Sequence, residues 1–301
     1  MKTYGILCFV LAIFMILTPL LSLDYSSFSF SNVKGTFQKE NDDGKTEEKL
    51  LDEKLDSVKV KSAASGNVAT TSTKEYIIGC VAAEMPATYS TEALKAQAIC
   101  AYTNLTRLKK NPDSSLSGAD ISDDPGRHQG YYDTETQKEK WGDKYDEYRG
   151  KIEDAVNDVL GKTIVFDGEP IVAAYCAISP GRTESAENIW GGKTDYLVSV
   201  TSPGDKLSPD CIKEISLTAD EVRNYTESDP EIALGDDQSG WITDIVYTDS
   251  GSGVVKSLKV GGKSFTGNSF RALFSLRSPA FTLEQKDGVF YFKTYGYGHS
   301  V

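Results

Sequence analysis

The sequence predicts an α+β fold: an N-terminal helical pair packed with a mostly antiparallel sheet, preceded by a membrane anchor and a flexible linker. Three observations carry that expectation. A mostly apolar run from Tyr4 to Leu23 is long enough to cross a bilayer. Two stretches between residues 75 and 102 repeat apolar residues at helical spacing. Beyond residue 160, short β-branched and aromatic runs are separated by turn residues such as Asp167-Gly168. Helices first and hairpin-linked strands after them are the α+β pattern.

The elements follow in order. Residues 1–23 read as an uncleaved anchor with Lys2 inside the cell; a signal peptide is the competing reading, although Leu20-Leu21-Ser22-Leu23-Asp24 is a poor cleavage site. Residues 24–72 are rich in Ser, Lys, Asp, Glu and Gly, a linker composition. Within it, Thr46 to Val60 has the spacing of a short charged helix. The folded domain is expected over residues 73–301. Its first helix runs to Glu84, where Met85-Pro86 stops it, because the residue before a proline is pushed out of the α region. Ser90 or Thr91 caps a second, alanine-rich helix from Glu92 to Tyr102. Residues 111–150 read as a long polar loop, and 149–160 as a helix closed by Gly161. Strands are expected at 163–166, 171–178, 196–201, 241–248, 253–260 and 289–295, with a short helix at 268–275.

The chain carries a net charge of −12 over 301 residues, and such a surface repels phosphate backbones, which argues against nucleic-acid binding. Cys80, Cys100, Cys176 and Cys211 show no Cys-x-x-Cys spacing and read as thiols rather than bridges.

Glu84 is the residue that points to chemistry. Ile77, Cys80 and Val81 precede it by seven, four and three residues, so it shares their apolar stripe. An acid facing a core has a raised pKa, a partner or a job. A general acid is one reading; a structural Glu reaching past the helix end is the other. Gln97, in the middle of the second helix, needs hydrogen-bond partners from either a loop or a ligand. Ser179, Arg182 and Thr183 lie on a Pro-Gly turn able to present donors to a polar ligand, Trp190 has a face for a sugar ring, and His299 follows the Gly296-Tyr297-Gly298 run.

Together these segments resemble the stage II sporulation protein D family, which includes amidase-enhancer proteins. The resemblance rests on Ala82-Ala83-Glu84-Met85-Pro86, Glu92-Ala93-Leu94-Lys95-Ala96-Gln97-Ala98, the Ser179 to Thr183 turn, Ile189-Trp190-Gly191-Gly192, Tyr196-Leu197, Ser202-Pro203 and Gly296-x-Gly298-His299. It implies a membrane-anchored, extracytoplasmic lytic transglycosylase acting on peptide-stripped peptidoglycan glycan strands. Glu84 would serve as acid and then base, while Gln97, Ser179, Arg182, Thr183, Trp190 and His299 would bind substrate. No cofactor is implied. The partners implied are a SpoIIP-like amidase and a SpoIIM-like membrane protein. Three departures stand out. Tyr102-Thr103-Asn104 replaces a common Arg-Thr-Tyr, so an arginine expected near the acid is missing. Ser179-Pro180-Gly181 replaces a Ser-Gly-Gly turn. The sequence ends at Val301, where the family pattern continues, so an incomplete groove is expected. Some relatives bind zinc in the loop corresponding to Ser122 to Gln129; here its cysteines are absent and His128 alone is too few ligands. The alternatives are a catalytically weak or inactive glycan-binding, amidase-activating module, and a purely structural envelope domain.

Overall fold

The computed structural model describes residues 56–299 and Val301. The anchor expected over residues 1–23 and the linker as far as residue 55 lie outside the described residues. Among the described residues, no helix is long and apolar enough to cross a membrane.

The fold opens with a hairpin. β1 (Ser57–Lys61) pairs antiparallel with β2 (Val68–Ser72) and parallel with the short β3 (Ile121–Ser122). Composition placed this stretch in a linker, and spacing placed Val58 on a helix; from Ser57 onward the chain is sheet. The cause is local. Val58 and Val60 alternate with lysines, so one face of the strand is β-branched and buried while Lys59 stays in solvent.

Ser72 then caps α1 (Thr73–Glu84) by accepting the Glu75 N–H, and Met85, extended at φ −133° and ψ 139°, ends it before Pro86. Ser90 caps α2 (Thr91–Lys110), whose last turn carries Arg107, Lys109 and Lys110, favourable charges at a helix C-terminus. α2 runs eight residues past its expected end at Tyr102. α3 (Thr134–Trp141) lies in the stretch expected to be loop, and α4 (Tyr145–Asn157) is the helix expected at 149–160, beginning four residues earlier. α3 buries only Gln137, so it has no apolar stripe to reveal it. Val58, Ile77, Leu94, Leu105, Ile152 and Val156 meet in the first hydrophobic core.

The rest is a mixed, mostly antiparallel assembly, as the α+β expectation held. Asp167 and Gly168, both at positive φ, turn the small hairpin of β4 (Val165–Phe166) and β5 (Glu169–Pro170). α5 (Ala186–Trp190) follows. After β6 (Ile212–Thr218) and α6 (Ala219–Thr226), β7 (Ile242–Tyr247), β8 (Val255–Val260) and β9 (Lys263–Thr266) form one antiparallel meander. α7 (Gly267–Leu273) leads to β10 (Phe281–Lys286) and β11 (Val289–Tyr295), and the second sheet has the order β10-β11-β6. Phe270, Phe274, Phe281, Phe290, Phe292 and Trp241 fill the second core.

Residues 171–178 and 196–201, expected as strands, contribute only the isolated bridges Ile178↔Tyr297 and Arg182↔Thr201. Side chains take the backbone groups a ladder would use. The Asn104 amide both donates to and accepts from Ala173 at 3.0 Å, and the Tyr196 hydroxyl accepts the Val172 N–H at 3.0 Å. Cys80, Cys100 and Cys211 are thiols.

One buried carboxylate ties two loops of this half together. Glu184, 1% exposed, accepts from Asn188 Nδ2 and the Ser185 N–H on one oxygen, and from the Thr248, Ser250 and Ser252 hydroxyls on the other, at 2.5–2.9 Å. Burial alone would raise its pKa, but those donors outweigh it and hold the carboxyl down at about 2. A folded-state pKa below the unfolded one gives stability that is present above the unfolded value and lost as pH falls through the folded value. The shift corresponds to a contribution on the order of 3 kcal/mol at neutral pH. Glu184→Gln is therefore expected to lower Tm at pH 7, and the gap from wild type should close between pH 5 and pH 2. Thermal melts across that range check it; a gap that stays constant with pH contradicts the assignment.

Candidate functional site

Glu84 is the last residue of α1, where the carbonyl end of the helix disfavours negative charge. Its side chain is half-buried, so its donors must come from other segments. The first is the Gly130 N–H, 2.7 Å from Glu84 Oε1. Two glycines give that contact its room, Gly79 the more strictly. A Cβ on Gly130 would sit 3.0 Å from Oε1 and 3.2 Å from the Ala83 methyl. A Cβ on Gly79 would overlap the Tyr131 ring and come within 2.5 Å of the Tyr132 carbonyl oxygen. With Gly79 bare, the loop lies against α1: the Tyr132 N–H donates to Gly79 O at 3.1 Å and Tyr131 stacks on Tyr76.

The other polar group at Glu84 is Tyr175, from the extended segment that Asn104 clamps. Its hydroxyl pKa is pushed far up, first by burial and then by the Glu84 charge. The phenol therefore stays protonated beside Glu84. Gln97 is 8% exposed and sits beside Tyr175, and its Nε2 has no partner within hydrogen-bonding distance. Behind Glu84, Gln129 donates to the Tyr76 hydroxyl at 2.7 Å, and burial keeps the Cys80 thiol protonated.

These groups open onto a cleft of 470 Å³ lined by Glu84, Arg107, His128, Tyr175, Trp190 and His299, among others. Trp190, half-exposed at the end of α5, lies 5.4 Å from the His299 ring, centroid to centroid. The C-terminal segment is held in place by backbone bonds: Tyr297 N–H to Ile178 O at 2.7 Å and Gly298 N–H to Arg277 O at 3.0 Å. Burial, with help from Arg271, lowers the His299 pKa, against a hydrogen bond to the Tyr175 carbonyl. It is a neutral imidazole at pH 7, with Nδ1 accepting from the Val301 N–H. Burial likewise lowers the His128 pKa, and the Ser122 N–H donates to its Nδ1. Among the described residues, no cluster of three metal-ligating side chains forms.

The structure thus brings Glu84, Trp190 and His299 to one cleft, with Gln97 at Tyr175 behind it. Ser179, Arg182 and Thr183 do not line it. Ser179 is buried, its N–H bonded to Asp205; Arg182 donates to the Ser199 hydroxyl; Thr183 and Val200 exchange hydrogen bonds. Their polar groups hold two loops together. Tyr102, where an arginine was expected, is 6% exposed in the first core, while Arg107 reaches the cleft from further along α2. Sequence reasoning missed Asn104, Arg107, Gln129 and Tyr175. Asn104 and Arg107 follow Gln97 by seven and ten residues, so a helical reading extended past Tyr102 puts all three on one face. Tyr175 had only its size among small neighbours as a signal.

Alanine is the better helix former by roughly 1 kcal/mol, yet Gly79→Ala is expected to destabilise the fold, because the loop carrying Gly130 must move off α1. Denaturant unfolding measures the sign; a stabilised variant means that the loop does not rest on Gly79.

A family model described as stage II sporulation protein matches residues 61–166. Stage II sporulation protein D of Bacillus subtilis (strain 168) is 33% identical over 246 residues, covering 81% of this chain and 70% of that protein. The Bacillus amyloliquefaciens protein of the same name is 33% identical over 255 residues, covering 84% and 72%. An amidase enhancer of Bacillus subtilis is 29% identical over 124 residues, 40% of this chain and 14% of that protein. With a third of its residues shared across most of both chains, this protein belongs to the stage II sporulation protein D family.

Proposed function

We propose that the chain is a lytic transglycosylase that cleaves the bond between N-acetylmuramic acid and N-acetylglucosamine in peptidoglycan glycan strands. What carries this reading is one half-buried carboxylate, Glu84, set in a cleft beside a protonated phenol and an exposed indole face. Among the described residues that line the cleft, Glu84 is the sole carboxylate. Glycosidases that use two carboxylates need a second one within several ångströms, as base or nucleophile. One acid suffices when the attacking oxygen belongs to the substrate.

The Gly130 N–H occupies Oε1, which makes Oε2 the oxygen for proton exchange. Protonated Glu84 gives its proton to the glycosidic oxygen as the C1–O bond breaks. The muramic C6 hydroxyl then closes onto C1, and its proton returns to the carboxylate, leaving a 1,6-anhydro sugar and a restored acid. Between the two transfers, the Tyr175 hydroxyl and the Gly130 amide steady the negative charge. Trp190 offers a stacking face for a sugar ring. The apolar run from Tyr4 to Leu23 fits this role as an anchor that keeps the domain on the outer face of a membrane. There an amidase of the SpoIIP kind would supply peptide-stripped strands and a SpoIIM-like membrane protein would be a partner.

Incubating the protein with peptide-free glycan strands and reading anhydromuramic ends by mass spectrometry tests the proposal. Glu84→Gln is expected to cut their release by on the order of 100-fold or more. Equal release from the variant and the wild type would overturn the mechanism.

A further inference from the structure

We infer that the Arg107 end of the cleft binds a carboxylate carried by the saccharide, and that this contact selects muramic units whose lactyl group is free. The inference rests on the glycan reading above, which already takes peptide-stripped strands as substrate, and adds the residue that would recognise them. Arg107 lines the same cleft as Glu84, and its Nε is buried with no hydrogen-bond partner. Among the described residues, no carboxylate pairs with it. The contrast with Arg127, in the same lining, is direct: that guanidinium is bonded to Asp113 at 2.6 Å. Hydrogen bonds from Ser115, and then Arg127, lower the Asp113 pKa to about 2, so this ion pair is present at neutral pH.

Burial, then Arg127 and after it Arg107, lower the pKa of the neighbouring His128. In a chain with a net charge of −12, Arg107 is a partly buried guanidinium that, among the described residues, meets no acid. Removing a charge from water without pairing it is costly, and a planar guanidinium fork matches a carboxylate in bidentate geometry. A ligand that brings the missing anion recovers that cost. In a glycan strand, the muramic unit carries an ether-linked lactyl carboxylate on the same ring whose C1 bond Glu84 would break. The carboxylate is free only when the peptide has been removed.

The test is equilibrium binding to the full-length Glu84→Gln protein, which should not turn the ligand over. One ligand is a peptide-free glycan oligosaccharide with free carboxylates; the other is the same oligosaccharide with its carboxyls reduced to alcohols. The carboxylate form is expected to bind about tenfold tighter or more. Adding Arg107→Gln should remove that preference. Equal affinity of Glu84→Gln for both forms overturns the carboxylate site and leaves the glycan reading intact. Failure to bind either form overturns both. A preference that survives Arg107→Gln removes Arg107 from the role. Should Arg107→Gln fail to fold, Arg107→Lys decides, because losing the fork while keeping the charge should weaken the preference several-fold, and an unchanged preference overturns the assignment.

Discussion

A carboxylate on the last residue of a helix faces the wrong end of the helix dipole, and that constraint organises the site. α1 cannot solvate Glu84 with its own N–H groups, which all point toward its N-terminus. Donors have to be delivered, and each delivery recruits another part of the chain. Gly79 lets the loop before α3 lie on α1 and bring in the Gly130 amide. Asn104 fixes the backbone at Ala173, two residues before Tyr175. The C-terminal segment, bridged at Ile178↔Tyr297, then sets His299 against the Tyr175 carbonyl. Pieces separated by more than two hundred residues are held around one side chain.

Glu84 and Glu184 show how the same functional group is put to two uses. Glu184 is surrounded by hydroxyl, amide and backbone donors on both oxygens and is sealed from solvent. Its charge is fully spent on joining two loops, and nothing reaches it. Glu84 has an amide on Oε1 and a phenol beside it, and it opens onto a cleft. Saturation marks the structural acid, and partial saturation with access marks the one free to exchange a proton. Burial alone does not separate them.

The parts legible in the sequence were those written in a short window. Glu84 and the helix stop at Met85-Pro86, the Ser90 cap, the Asp167-Gly168 turn, and the strands near 241–248, 253–260 and 289–295 all follow from neighbours within a few residues. What escaped was set by partners far away. Residues 171–178 have a strand's composition, yet their hydrogen bonds go to Asn104 and Tyr196, which local pattern does not encode. α3 is polar all round and is held by its Asp133 cap and the Gln137 amide on Tyr132 O, so it left no periodic trace. Ser179, Arg182 and Thr183 have the residue types of a ligand turn, but their groups are consumed by Asp205, Ser199 and Val200. Side-chain type announced the capacity to bind; only the fold showed what was already bound.

That distinction also bears on the arginine that the family pattern places at position 102. On a helix of 3.6 residues per turn, Tyr102 and Arg107 differ by five residues, close to 140° around the axis, so they face different surroundings. Tyr102 points into the core between the helices, whereas Arg107 shares the face of Gln97 and Asn104. A cation can thus be lost from one position and still be present in the cleft, delivered from the next turn by a side chain long enough to reach. The electrostatics of a site belong to the volume its side chains fill rather than to a column of residues. An acidic protein can then keep a positive charge in the cleft that holds Glu84 without changing the backbone that carries either residue.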